Sequence, residues 1–322
     1  MRRSVALLGL PLMMIVAGCA PAGTGQAGPD RPSDSNEAFD QRATAVAEAW
    51  QPGTEWSRGY VPLQESTVLV GDPEFTAATQ TAFLAGWYRN QAGPPARPPA
   101  DGTIRFSDGE LRVPLISAAE AYRQLAPGDP PPCPGSPVPA TPPPAVPGGP
   151  DDSVTGRPQG DHCVPLTVTK IELGVAPLRT SRGEAQVPAW LFTVPEINAV
   201  IARVAVAPGA VGALPEPTPP SGPVPADLVT AQDIQAVDGA TLTYRLGIGS
   251  CDTGTTPLVQ EHDHVVIVGG TVVRATGGCN DMLNLEPVEV TLKAPLGARP
   301  VLDVINGTPL RLAAASPGSG GY

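Results

Sequence analysis

Glu261-His262-Asp263-His264 concentrates potential metal ligands in one short run. On an extended strand the imidazoles of His262 and His264 face one way, a spacing that zinc sites use, while Glu261 and Asp263 face the other. Zinc needs a further protein ligand, and the remaining histidine, His162, lies beside Cys163 in the other half of the sequence. A solvated hairpin tip or strand face accounts for the same run, so His162, His262 and His264 are candidate ligands only if the fold brings them together. Asp252-Thr253-Gly254-Thr255 carries the string of aspartic protease sites, where paired carboxylates share a proton and activate water. That chemistry needs a second such carboxylate, and no second Asp-Thr-Gly occurs. A cysteine, not an apolar strand, precedes Asp252, which favours a polar turn. The signatures of serine hydrolases, zinc peptidases and nucleotide-binding loops are missing as well. No catalytic residue is assigned.

Cys19 offers chemistry of a different kind. Arg2 and Arg3 form a positive start, Val5 to Val16 is an apolar run too short to span a bilayer comfortably, and Val16-Ala17-Gly18-Cys19 matches a lipobox. Residues 1–18 therefore read as a lipoprotein signal peptide. The Cys19 thiol is the atom that receives diacylglycerol, a covalent lipid and the only cofactor expected. Two acyl chains, at ~0.8 kcal/mol per buried methylene, hold a protein on a membrane stably. The expected location is the extracytoplasmic side of the cell membrane. Outside the cytoplasm the other four cysteines are expected in disulfides. Of the three possible connectivities, Cys133 with Cys163 and Cys251 with Cys279 is favoured, because each pair brackets one local unit.

The formal charge of −11 repels phosphate backbones and anionic head groups. Nucleic acid is excluded as a partner, and the lipid rather than a basic patch must hold the membrane. Aromatic residues make up only 4%, against 42 prolines and 36 glycines, so much of the chain is turn, loop and linker.

The elements that must position these residues are mostly strands. Residues 19–35 read as a flexible tether. Phe39, Ala43, Val46, Ala47 and Trp50 recur at helical spacing before Pro52-Gly53. A strand ends in Val68-Leu69-Val70, and Asp72-Pro73-Glu74 opens a helix to about Ala85. Asp108-Gly109 turns a hairpin, and Ser117-Ala118-Ala119-Glu120 caps a short helix. Residues 126–162 are a proline-rich insertion that cannot bury a core. Val164 to Val175, Val187 to Val194 and Val200 to Val206 are strands, with Pro188 at a bulge or edge. Residues 214–225 form a second proline-rich linker. Leu242 to Ile248 and Val288 to Leu292 alternate as strands, Gly269-Gly270 reads as a hairpin turn or bulge, and Val301 to Val304 as an edge strand. The expected architecture is α+β and predominantly antiparallel, with two small β-rich units over residues 36–213 and 226–313, few short helices, and a frayed tail at 314–322.

The lipobox, the strings at residues 113–118, 180–192 and 295–303, and Cys251-Asp252 with Cys279 resemble uncharacterised lipoproteins of actinobacteria. The resemblance implies location and disulfides and no activity. The expectation is a membrane-anchored extracytoplasmic lipoprotein with a binding or structural role in the cell envelope, its partner an envelope protein or a small ligand. The alternative is an anchored hydrolase or metal-dependent enzyme drawing residues from both halves.

Overall fold

The computed structural model describes residues 32–128, 165–280 and 282–314. The signal peptide, Cys19, most of the tether, Cys133, His162, Cys163 and residues 315–322 lie outside the described residues.

The first half contains α1 (Pro32–Ala49), α2 (Thr54–Arg58), β1 (Thr67–Val70), α3 (Ala77–Leu84), β2 (Tyr88–Asn90), β3 (Gly102–Phe106), β4 (Gly109–Val113) and α4 (Ala118–Leu125). It continues through β5 (Leu166–Val168), β6 (Lys170–Thr180), β7 (Gly183–Val194) and β8 (Ala199–Val204). The second half is all strand: β9 (Leu228–Val229), β10 (Ala231–Asp238), β11 (Thr241–Gly249), β12 (Thr253–Glu261), β13 (Val266–Val273), β14 (Leu283–Thr291) and β15 (Val301–Asp303). The architecture is α+β and mostly antiparallel, as the alternating sequence predicts. Two parallel pairs, β2 with β5 and β13 with β15, are the exceptions.

The large sheet runs β1-β8-β7-β3-β4, with β6 on the other side of β7. β7 is buried on both faces over Val187 to Trp190, which explains its unbroken apolar run. Pro188 lies where the ladder on one side of β7 passes from β3 at Gln186 to β8 at Ala189, and its carbonyl accepts from Ala205 N at 2.9 Å. A residue without an N–H is tolerated at that handover. In the second half β10-β11-β14 packs on β12-β13-β15, with β9 beside β13. Leu242, Tyr244 and Leu246 meet Val266, Val268 and Val272 between the sheets. The Tyr244 hydroxyl donates to Gly269 O at 2.8 Å, so its one polar atom is satisfied inside the core.

Several boundaries differ from the sequence expectation. The tether stops short of residue 35, because Pro32 already opens α1, and proline suits a first helical position. The face Phe39, Ala43, Val46 and Ala47 packs on Leu228, Val265, Ile267, Leu302 and Val304, so this first helix joins the core of the second half. Periodicity identifies an apolar face, not its partner. The second helix starts at Ala77 instead of Asp72, since Thr76 and Thr79 exchange the hydrogen bonds of a capping box. The strand expected over Val164 to Val175 breaks at Thr169 into β5, which pairs β2, and β6, which pairs β7. Gly269-Gly270 is neither a turn nor a bulge: β13 runs straight through it, in continuous register with Pro257 and Leu258 of β12. A Cβ on Gly269 would sit 2.5 Å from Val304 Cγ1, and one on Gly270 2.4 Å from Leu246 Cδ1, so these glycines admit close neighbours on the two faces.

A short seam stitches the halves together. Leu312 N donates to Leu63 O, Ala313 N to Ile234 O, and Ile234 N to Arg311 O, at 2.6, 2.7 and 2.9 Å. The chain just before residue 315 is thus hydrogen-bonded on one side to residues 63–64 and on the other to β10. Arg179 of β6 adds a second tie by donating through Nη2 to Arg299 O at 3.1 Å.

Candidate functional site

The polar run at residues 261–264 closes the β12–β13 hairpin, where His262 N donates to Val265 O at 2.9 Å. Glu261 faces inward and is committed to structure: it accepts from Lys293 N at 2.7 Å and from Arg299 Nη1 at 3.0 Å. Burial pushes its carboxyl up, but those donors and the Arg299 charge outweigh it and hold Glu261 below the usual carboxylate range. His262 Nε2 lies 3.1 Å from Gln260 Oε1, Asp263 and His264 are exposed, and the two imidazole centroids are 6.2 Å apart. Among the described residues no group of three or more His, Cys, Asp or Glu side chains is placed to share a metal ion.

Asp252 sits in the turn between β11 and β12. Its carboxylate accepts from Gly249 N at 2.8 Å and from Arg274 Nη1 at 2.5 Å, and Arg274 in turn donates through Nε to Ala226 O. Both contacts fall on Oδ2, and the guanidinium and the backbone N–H commit this carboxylate to the turn. The neighbouring Cys251–Cys279 disulfide is present, with Cα atoms 6.1 Å apart. It ties the end of β11 to the approach to β14, where Gly249 pairs with Leu283.

A separate concavity lies away from every motif. A cleft of about 450 Å³ opens between the free edge of β1, the C-terminal ends of α3 and α4, Gln235 of β10 and residues 312–314. Val68 and Leu69 from β1, Phe83 and Leu84 from α3, Leu125 from α4 and Leu312 from the seam form apolar walls. Each wall has a local reason. Thr76 and Ser117 cap the starts of α3 and α4, which fixes where their last turns end. At the end of α3 the backbone turns through Gly86 at φ 66°, which only glycine enters without cost.

The polar lining is largely spent on the protein itself. Gln64 Oε1 accepts from Arg179 N at 2.7 Å, and Gln124 Oε1 from Arg203 Nη2 at 3.0 Å. Thr67 Oγ1 accepts from Arg203 Nη1 at 2.8 Å, and Gln235 Nε2 donates to Asp233 Oδ1 at 2.7 Å. Glu65, the ionised group of the lining, pairs at 3.5 Å with Arg311. Burial pushes the Arg203 guanidinium down, with the Glu65 charge opposing it, and burial pushes the Tyr88 phenol up. Among the described lining residues there is no histidine, cysteine, lysine or serine, and Glu65 is the lone carboxylate. The arrangement can enclose an apolar body. It holds no paired nucleophile and base.

Compared with known proteins, the chain matches no family model, no curated sequence and no solved structure.

Of the sequence-selected groups within the described residues, the fold joins Cys251 with Cys279 and assembles no catalytic or metal-ligating set. His262 and His264 share one hairpin tip, Asp252 belongs to a turn, and His162 and Cys19 lie outside the described residues. The cleft was missed because its walls come from five separate stretches of chain, and no local spacing links residues 64–69 to 83–88, 124–127, 235 and 312–314. Leu312 carried the one usable signal, an apolar residue just before the expected tail.

Proposed function

We propose that this protein is a lipid-anchored envelope protein of the extracytoplasmic membrane face, related to the actinobacterial lipoproteins it resembles, and that it works by binding a small ligand. The lipobox at Cys19 supports the anchor, and the Cys251–Cys279 disulfide suits an oxidising compartment. The observation that carries the binding role is the cleft: its volume lies within the roughly 300–1,000 Å³ of small-molecule sites, and its walls are apolar with a few convergent polar groups. Hydrolysis or metal catalysis gains no support from Asp252, hydrogen-bonded to Gly249 and Arg274, from His262, hydrogen-bonded to Gln260, or from the exposed His264.

Two measurements test the reading. Growth on labelled palmitate should label the wild type and leave Cys19→Ser unlabelled; label on that variant removes the anchor. Native mass spectrometry of protein released gently from membranes should show a non-covalent adduct. Val68→Trp and Ala313→Trp, which fill the cleft from two different elements, should lose it. A wild type without adduct, or an adduct that survives both substitutions, removes the binding role.

A further inference from the structure

The balance of paired and unpaired groups in the cleft narrows the ligand. Glutamine oxygens 64 and 124 and the Thr67 lone pair are occupied by Arg179 and Arg203, and Asp233 takes a Gln235 N–H. Among the described residues the Thr67 hydroxyl proton, the Gln64 amide nitrogen and the Gln235 carbonyl oxygen have no protein partner. All three are neutral. The guanidinium groups nearby are turned to protein acceptors: Arg203 to Thr67 and Gln124, and Arg311 to Glu65 and to Gln64 O at 2.9 Å. An anionic head would therefore meet Glu65 without a free cation, and a cationic head would have to displace Arg311. The walls offer apolar surface that is costly to leave wet. Leu84, which overhangs the mouth, is 68% exposed.

We propose that the cleft takes an uncharged amphiphile with a single apolar chain, such as a monoacylglycerol. The chain would lie between Leu69, Phe83 and Leu312, and its hydroxyl head at Thr67, Gln64 and Gln235. This inference rests on the binding role above and adds the ligand's class. It also gives Glu65 a task, the rejection of fatty carboxylates by like charge.

Photo-crosslinking on the full chain tests it. A diazirine monoacylglycerol and a diazirine fatty acid of equal chain length are applied to membranes carrying the protein, and adducts are mapped by peptide. The neutral probe should label peptides spanning residues 64–69, 83–88 and 312–314 about tenfold more than the fatty acid. Val68→Trp and Ala313→Trp should reduce that labelling about tenfold while thermal melting and the Cys251–Cys279 bond stay unchanged. Glu65→Gln should bring fatty-acid labelling up toward that of the neutral probe. Equal labelling by both probes in the wild type, or labelling indifferent to both tryptophans, overturns the proposal. A native adduct of another chemical class, lost in the tryptophan variants, overturns the ligand class and leaves the binding role standing.

Discussion

Asp303 is fully buried, and its two oxygens receive the N–H groups of Ala231 at 2.8 Å and of Ile305 and Asn306 at 3.0 Å. One side chain thereby fixes the turn after β15 and the start of β10. Asp303→Ala leaves one buried and two half-buried N–H donors without this acceptor and should cost about 2–4 kcal/mol in urea unfolding. Burial raises the Asp303 pKa, against the pull of its donors. The native state then holds this proton at a pH where the unfolded chain has released it. Its contribution is fully present below about pH 4 and is lost as pH rises through the folded value. Glu261 has the opposite sign: its lowered pKa contributes stability above the unfolded value that is lost as pH falls. Relative to wild type, Glu261→Gln should be more destabilised at pH 7 than at pH 3, and Asp303→Asn more at pH 4 than at pH 7. Equal differences at both pH values would show that neither carboxyl senses its surroundings as described. Sequence places Glu261 on the strand face opposite the candidate ligands His262 and His264, and what it cannot reveal is Arg299, 38 residues away, which claims its carboxylate.

At the scale of elements, alternation and capping were legible wherever the deciding contacts were local. The β3–β4 hairpin, α4 with its Ser117 cap and β11 fall where their patterns put them, while β14 begins at Leu283, ahead of the expected Val288. The failures share a cause in distant packing. Gly269-Gly270 reads as a turn or bulge until Val304 and Leu246 are seen pressing on it, and β12 has no clear pattern because its polar Thr-rich start pairs with β13 across a bulge. Gly270→Ala should destabilise by about 1–3 kcal/mol, since its Cβ would meet both Leu246 and Thr256 O, whereas alanine at open Gly277 should be neutral within about 0.5 kcal/mol. Equal effects at the two sites would contradict the close approach. Removing the Cys251–Cys279 bond, with its sequence separation of 28, should lower stability by up to about 3–4 kcal/mol, read as a fall in the urea midpoint.

For the molecule as a whole, the two halves expected from the proline-rich stretches are crossed by the chain at both ends. The first helix packs in the second half's core, and residues 311–313 bridge residue 63 to β10. No periodicity encodes such a seam, yet it builds one wall of the cleft on which the proposed binding role rests. Cutting the chain after residue 309 should therefore weaken both the cleft and the coupling of the halves, splitting one unfolding transition into two. By its apolar walls and neutral polar groups the cleft suits the proposed single-chain amphiphile. A crystal structure of the full chain purified from its own membranes, with no ligand added, tests this most directly. The prediction is continuous density between Leu69, Phe83 and Leu312 ending in a polar head beside Gln235; a water-filled cleft, or density for a charged head paired with Arg311, would contradict it.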